Sequence, residues 1–460
     1  MKTTRIVLYL ILALAMLLSA CGGGATPAPA QPQGPAPAET QAPAAGEGLS
    51  GELIYWAMWN EGEPQQLALA EMITAFEAAY PQVKVNVTWA GREVLTKMRS
   101  ALLAEQQIDL SDQAADELNA ALFKNDQVIV LDDMLDTPAY GEETPFKDIF
   151  LPGVLDPYKM NGKVVMIPYE LITSAFWYDE GLFTANGITP PKTWDELLAM
   201  CETLKGKDIP CFAQDGTVDF YNAYWFYWLA QRVMGPGAWY KAVADTTGAA
   251  WDDPGWLKVA QLEQELATKG YFMKGFEGSV WPAGQVAWSQ GQAGALLCGS
   301  WIPNETSKTA KADFKYRGFV FPEVAGGKGK ATDLESFLIG FVIPKTSKNP
   351  EAAKAFIKFA MTEENQMKIV TMGQNAVTRK SMPMPDVLPD MDEWFAGATS
   401  LFKPYDGVQA EHPSWWTTTF MPLHNKLLFG QITPEDFIAQ VKAQTTEYWS
   451  KPTPTPEPVR

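Results

Sequence analysis

The chain is poor in the residues that carry most metal and nucleophile chemistry. It has only two histidines, His412 and His424, and four cysteines among 460 residues. The paired Cys/His spacing of a zinc site, the HExxH and GxSxG motifs and the phosphate-binding P-loop are all missing from it. The sequence therefore predicts no metal site and no cofactor, and any chemistry on a bound molecule would depend on carboxylates.

Basic residues and long apolar runs are also scarce. There are 36 Lys and Arg against 54 Asp and Glu, a formal net charge of −18. This balance argues against nucleic acid or an anionic membrane surface as a partner. After the first 20 residues no apolar stretch approaches the roughly 20 residues that a spanning helix needs.

The first 20 residues have the layout of a secretory signal. A basic head, Met1 to Arg5, precedes an apolar run from Ile6 to Leu18, which predicts a signal peptide over 1–20. Ser19-Ala20-Cys21 is similar to the lipobox of bacterial lipoproteins, in which the cysteine is acylated and becomes the new N-terminus; an ordinary signal peptide and a signal anchor are the alternatives. Two acyl chains hold a protein stably on a membrane. We therefore expect a protein at the cell surface or in the periplasm, anchored through a lipid on Cys21.

Two segments have the composition of disordered spacers. Residues 21–50 are almost wholly Gly, Ala, Pro, Gln, Thr and Glu, and residues 450–460 repeat the Pro/Thr pattern. The body between them contains nearly all of the 17 Trp, 15 Tyr and 23 Phe and is too large for one ordinary core. We expect it to form two domains.

The body begins with alternating strand and helix patterns. Strands are predicted over Glu52–Trp59 and Val83–Trp89, and helices follow each of them. The first helix is expected to bury Leu67, Met72, Ile73, Phe76 and Tyr80. This β-α-β-α order is typical of a parallel sheet with helices on its faces.

Several segments in order resemble the bacterial extracellular solute-binding proteins of the sugar-binding kind (family 1), which are the receptors of ATP-binding-cassette importers. The matching segments cover essentially the whole body: Gly162-Lys163, Ile167-Pro168-Tyr169-Glu170, Phe176-Trp177-Tyr178-Asp179, Leu182-Phe183, Pro190-Pro191-Lys192-Thr193-Trp194-Asp195-Glu196, Gly291 to Leu297, Gly299-Ser300-Trp301, Asn349 to Phe359 and Leu428 to Val441.

The resemblance implies an α/β fold of two lobes, like that of periplasmic binding proteins. Each lobe is expected to be a mainly parallel sheet flanked by helices, with the ligand in the cleft between the lobes. The first lobe would comprise residues 51–167 and 331–373, and the second 168–330 and 374–449. The implied partners are a carbohydrate ligand and the transmembrane permease of the importer, with the protein itself a monomer.

A sugar presents apolar C–H faces and a rim of hydroxyls, so its site needs aromatic rings beside polar side chains. Stretches of that kind, together with the positions that the resemblance implies, give the candidate ligand-binding residues Trp59, Glu61, Asp112, Tyr169, Glu170, Tyr224, Trp225, Trp301, Glu335, Trp415 and Trp416.

Each candidate has a structural alternative. A Trp is more often a core residue than a ligand platform, and Trp415 and Trp416 are equal candidates by register. Glu61, Asp112 and Glu170 are also compatible with helix caps or solvated carboxylates, and Glu335 stands at a point where members of the resembled family often carry glycines. Trp301 is favoured as a ligand contact because it follows Gly299-Ser300 at the end of an apolar strand.

Cys201 and Cys211 bracket a short loop between a predicted helix and a predicted strand. In an oxidising compartment a local disulfide is favoured over two buried thiols. Cys298, between Leu297 and Gly299, is expected to be a small buried residue.

The sequence thus favours a non-enzymatic receptor that captures an oligosaccharide by lobe closure. Two alternatives stay open: a receptor for a non-sugar solute such as a glycerol phosphodiester or a peptide, and a secreted glycoside hydrolase with two catalytic carboxylates.

Overall fold

The computed structural model describes residues 48–451. The predicted signal peptide, Cys21 and most of the tether lie outside the described residues, as do residues 452–460 of the tail. Within 48–451, no helix combines the length and the apolar character that crossing a membrane requires.

Twelve strands occur in the described chain. They are β1 (Gly51–Ala57), β2 (Val83–Trp89), β3 (Leu110–Ala114), β4 (Ile167–Ile172), β5 (Ser174–Asp179), β6 (Phe212–Ala213), β7 (Ala295–Gly299), β8 (Tyr316–Phe319), β9 (Asp333–Glu335), β10 (Phe337–Val342), β11 (Ala376–Val377) and β12 (Ser400–Phe402).

The α-helices of the described chain alternate with these strands or follow them. They are α1 (Pro64–Ala79), α2 (Val94–Leu103), α3 (Ala115–Leu118), α4 (Asp132–Leu135), α5 (Glu180–Asn186), α6 (Trp194–Lys205), α7 (Asp219–Met234), α8 (Ala238–Ala244), α9 (Pro254–Thr268), α10 (Ala283–Ser289), α11 (Ile302–Thr306), α12 (Pro350–Ala360), α13 (Glu363–Lys368), α14 (Met391–Ala396), α15 (Val408–Glu411), α16 (Pro413–Trp415), α17 (Met421–Leu428) and α18 (Pro434–Ser450).

One sheet of six strands forms the centre of the first lobe, in the order β11-β4-β10-β3-β1-β2. β1 pairs with β2 and β3 in parallel, so the carboxyl ends of β1 and β3 meet at one edge. β10 runs antiparallel to both β3 and β4. The second lobe contains a four-stranded sheet, β6-β7-β5-β8, and the short pair β12-β9.

These sheets are mixed, which corrects the expectation of mainly parallel sheets. The cause is the way the chain passes between the lobes: β4 leads out of the first sheet into β5, and β10 returns beside β4 in the opposite direction. The pairings also place the passages slightly later than expected. β4 still belongs to the first sheet up to Ile172, and the returning chain joins that sheet only at Phe337.

The second lobe is built around α7. Every residue of this helix from Tyr221 to Val233 is buried, including the polar Asn222, Gln231 and Arg232. The other helices and the four-stranded sheet cover it with aromatic side chains, among them Trp239, Trp256 and Phe321. In the first lobe, α1 packs through Met72, Ile73 and Phe76 as predicted, but Leu67 is 47% exposed and Leu69 is buried in its place.

Cys201, near the end of α6, is joined by a disulfide to Cys211, which precedes β6. Cys298 is a buried free thiol. The disulfide closes a loop spanning a sequence separation of 10 residues at the edge of the second lobe.

We expect the exported protein to contain this Cys201–Cys211 disulfide. Closing a loop of this length should add roughly 2–3 kcal/mol to the free energy of unfolding through the entropy of the unfolded chain. Mass mapping of an unreduced digest should find the two peptides linked, and reductant should lower the melting temperature of the wild type. The C201S/C211S variant is the matched control and should not respond to reductant. Two free thiols in the exported protein would contradict the assignment.

Candidate functional site

The chain crosses between the lobes on neighbouring strands. Glu170 of β4 pairs with Ile339 of β10 on one side and with Val377 of β11 on the other. Thr173 then connects β4 to β5, and Ser336 connects β9 to β10. The floor of any cleft between the lobes is therefore formed by the residues at these crossings.

On the first lobe, Asp112 is the centre of a buried hydrogen-bond network. It lies in β3, and its carboxylate accepts hydrogen bonds from Tyr55 Oη (2.9 Å), Met58 N (3.2 Å) and Tyr169 Oη (2.7 Å). Trp59 Nε1 in turn donates to Tyr169 Oη at 2.8 Å. Burial raises the pKa of Asp112 to about 6 in spite of these donors.

This network corrects the expectation that Asp112 contacts a ligand directly. The carboxylate is fully buried and joins β1, β3 and β4, so it holds the wall of the first lobe in place. Trp59 is 5% exposed, and the guanidinium carbon of Arg92 lies 4.8 Å from the centre of its ring. Glu61, in the turn before α1, is exposed and accepts no hydrogen bond; Glu63 instead binds Arg92 at 2.9 Å.

Glu170 differs from Asp112 because neither of its buried carboxylate oxygens has a hydrogen-bond partner. Burial raises its pKa to about 8, while the nearby amides of Asn375 and Gln65 act in the opposite direction. Thr173 Oγ1 and Asn375 Oδ1, also at the crossings, lack partners too. Buried polar groups normally find partners, so this part of the floor offers free hydrogen-bonding capacity.

Glu335 connects the crossings to the core of the second lobe. Its Oε2 accepts hydrogen bonds from the backbone N (3.1 Å) and the hydroxyl of Ser174. The same hydroxyl accepts a hydrogen bond from Trp228 Nε1 of α7 at 2.9 Å. Burial raises the pKa of Glu335 to about 7, and the charge of Asp116 on the first lobe acts in the same direction.

Asp116 and its neighbours bring the two lobes together. Asp116 accepts a hydrogen bond from Tyr158 Oη at 2.9 Å, and the ammonium of Lys403, from the second lobe, lies 4.8 Å from the centre of the Tyr158 ring. Burial raises the pKa of Asp116 to about 7, against the effects of Tyr158 and Lys403. Glu411 of the second lobe also accepts from Asn119 Nδ2 (2.6 Å) and pairs with Lys124 (2.6 Å).

An aromatic shelf, defined here as Tyr221, Tyr224, Trp301 and Tyr405, lies on the second lobe. Tyr224 stacks on Tyr405 at 5.4 Å and on Tyr221 at 6.3 Å. Burial raises the pKa of the Tyr221 hydroxyl, which the Trp301 indole approaches.

Two backbone features fix the shelf. Trp301 is half-buried, and its ring lies against Gly299, where a Cβ atom would come within 2.1 Å of the ring. Tyr405 and Asp406 have φ angles of 48° and 57°, a left-handed conformation that costs energy in residues other than glycine. Asp406 is held there by the backbone N–H groups of Gly237 (2.7 Å) and Tyr240 (3.1 Å).

Two of the candidate residues are packing residues, which corrects their assignment to the ligand. Trp225 is fully buried among Phe176, Phe212 and Phe272, with ring centres 4.9 to 5.6 Å away. Trp415 is equally buried, and its Nε1 donates to Thr445 at 3.0 Å.

Trp416 is 4% exposed and packs edge-on against Tyr405 at 4.9 Å, so it supports the shelf from behind. Of the other candidates, Trp59 and Tyr169 are hydrogen-bonded to each other in the first lobe, Glu170 and Glu335 stand at the crossings, and Tyr224 and Trp301 belong to the shelf.

Sequence reasoning missed Asp116, Tyr158, Tyr221, Lys403 and Tyr405. Tyr221 stands three residues before Tyr224 and therefore on the same helix face, a signal that was available. Tyr158, Lys403 and Tyr405 lie in irregular segments with no periodicity to mark them.

A family model described as bacterial extracellular solute-binding protein matches residues 60–367. The diacetylchitobiose binding protein of Streptomyces coelicolor is 29% identical over 262 residues, which are 56% of this chain and 55% of that protein. The chain thus matches about half the length of this relative.

Solved structures match over nearly their whole length. A chitin oligosaccharide binding protein is 24% identical with a TM-score of 0.69 and covers 87% of this chain and 100% of its own. The protein RafE in complex with raffinose is 19% identical with a TM-score of 0.67, covering 86% and 99%. These likenesses show that the fold is the two-lobed α/β fold of periplasmic binding proteins.

The buried carboxyls give a prediction for pH dependence. The pKa values of Glu170 (about 8), Glu335 (about 7) and Asp112 (about 6) lie above those of the unfolded chain, so the folded protein binds more protons. Their stabilising effect is complete below the ordinary carboxyl pKa and is lost as pH rises through the raised values. The melting temperature should therefore fall between pH 5.5 and pH 8.5.

Glu170→Gln should reduce this slope, because an amide keeps the shape of the protonated acid at every pH. We expect the variant to melt at least about 2 °C above the wild type at pH 8.5, where roughly 1 kcal/mol corresponds to about 2–4 °C in mid-sized domains, and close to it at pH 5.5. Glu61→Gln, at an exposed position, is the matched control and should follow the wild type. Equal slopes for all three proteins would contradict the prediction.

Proposed function

Because the chain belongs to the bacterial extracellular solute-binding protein family, we propose that it is the receptor of an ATP-binding-cassette importer and that it captures a neutral oligosaccharide between its lobes. The observation that carries this proposal is the aromatic shelf opposite buried carboxyl and hydroxyl groups of the first lobe. Aromatic rings take the apolar face of a sugar, and the acids and hydroxyls bind its rim.

The charges between the lobes favour a neutral ligand over a phosphodiester. A phosphate calls for free Arg or Lys groups. Lys403 lies over the Tyr158 ring near Asp116, and Arg92 is bound to Glu63 and to the backbone O of Met58. The other side chains described at this site are mainly acidic or aromatic. A peptide ligand is tested in the same binding screen as the sugars.

Capture without catalysis fits the family better than hydrolysis does. The carboxylates of Asp112 and Glu335 already accept hydrogen bonds from protein groups, and Glu170 is enclosed in the sheet between β10 and β11. Incubation with oligosaccharides should therefore release no new reducing ends. The contacts of Glu411 with Asn119 and Lys124 join the lobes and support a closed form that a ligand would favour.

Trp301→Ala should weaken sugar binding while leaving the fold intact. Losing one stacking ring at a binding site costs roughly 2 kcal/mol, or about 30-fold in Kd. Calorimetry with the sugar that gives the largest thermal shift measures this change. Trp394→Ala is the matched control: Trp394 packs on Trp177, 5.9 Å away in the second lobe, and its loss should leave affinity unchanged. A large fall in melting temperature with unaltered affinity for Trp301→Ala would mean that Trp301 is a packing residue.

The proposal includes a lipid anchor on Cys21, delivery to a membrane permease, and a monomeric protein. Cys21→Ser should move the protein from the membrane fraction to the soluble extracellular fraction, because the two acyl chains that hold it are lost. Fractionation of cells expressing each form measures this. Retention of the variant in the membrane fraction to the same extent would refute the anchor.

A further inference from the structure

Trp281 is the most exposed tryptophan among the large apolar side chains that stand out from the described surface. Its side chain is 48% exposed, and that of the preceding Val280 is 64% exposed. Both lie just before α10 in the second lobe. An indole exposed in this way keeps a flat apolar face available for stacking.

The orientation of this exposed ring is fixed by a relay of two hydrogen bonds. Trp281 Nε1 donates to Gln285 Oε1 at 3.1 Å, and Gln285 Nε2 donates to Glu305 Oε2 at 3.0 Å. Gln285 is 2% exposed, and Glu305 belongs to α11. Water could satisfy an exposed indole N–H without any of these groups. The relay therefore fixes the orientation of the ring, in addition to satisfying its N–H group.

The relay connects Trp281 to the aromatic shelf. Trp301 directly precedes α11, and the backbone N of Glu305 within that helix donates to the backbone O of Trp301 at 3.4 Å. Tyr221 is near both, since the Trp301 indole approaches its hydroxyl and the charge of Glu305 acts on it. Asn304, between them, donates to the backbone O of Gly373 in the first lobe, which places α11 at the boundary between the lobes.

We propose that Trp281 is a second stacking platform, which binds a sugar unit distal to the unit on Trp301. This rests on the proposed function and specifies it further: the ligand is an oligosaccharide long enough to reach from the shelf to Trp281. Gln285 and Glu305 are positioning residues that hold the ring of Trp281 in the stacking orientation. The polar rim of the distal unit faces the Glu305 carboxylate, which accepts hydrogen bonds.

The test compares ligand length. Kd is measured by calorimetry for the wild type, Trp281→Ala and Trp281→Phe with N-acetylglucosamine, xylose and raffinose-family oligomers of one to five units. In the series that the wild type binds, Trp281→Ala should lose roughly tenfold or more for the longest oligomers and less than about twofold for the shortest. Trp281→Phe should recover most of the loss because a flat ring remains. Gln285→Ala should show a smaller loss with the same length dependence.

The melting temperature of free Trp281→Ala should stay close to that of the wild type, because the ring is half exposed. Equal affinities of wild type and Trp281→Ala at every length overturn the inference, and so does a loss that is the same for short and long oligomers. A wild type that binds no carbohydrate in any series overturns the proposed function instead, and the inference with it.

Discussion

The hydrogen bonds of the Glu335 carboxylate are the constraint on which the geometry between the lobes depends. The residue stands where the chain returns to the first lobe, and it binds Ser174, where the chain leaves that lobe. The Ser174 hydroxyl in turn accepts a hydrogen bond from Trp228 Nε1 of α7, whose residues 221–233 are all buried. One acid therefore ties the outgoing chain, the returning chain and the core of the second lobe together. An acid buried this deeply is costly unless donors satisfy it, and here both donors, a backbone N–H and a hydroxyl, belong to Ser174.

Much of the architecture could be predicted because it follows from local patterns. The alternation in Val83–Trp89 and the order of the first strands and helices are recovered almost to the residue. The antiparallel pairings of β10 could not be predicted in the same way, because they arise where the chain passes between lobes and no period in the sequence records that passage. Leu67 shows a smaller limit of prediction from sequence. The apolar pattern of a helix did not distinguish which of the nearby residues Leu67 and Leu69 is turned inward.

The candidate site could be predicted by residue type but not by role. Trp225, Trp301 and Trp415 all stand beside polar residues in the sequence, yet only Trp301 is half-buried, whereas the other two are fully buried. What distinguishes Trp301 is the glycine two positions earlier, whose missing side chain leaves room for the ring. Asp112 shows the opposite case. We expected this polar residue to face a ligand, but two tyrosines and a backbone N–H enclose it.

The three crossings of the chain lie side by side, because β4 stands between β11 and β10 in a single sheet. A rotation about a line through these strands needs changes in only a few torsion angles, whereas sliding one lobe past the other would break the hydrogen bonds of all three. We therefore expect rotation about these strands to be easier than any other relative motion of the lobes. Force on the tips of the lobes would then act on opening or closing, so a partner that grips both tips would drive release of the contents without touching them.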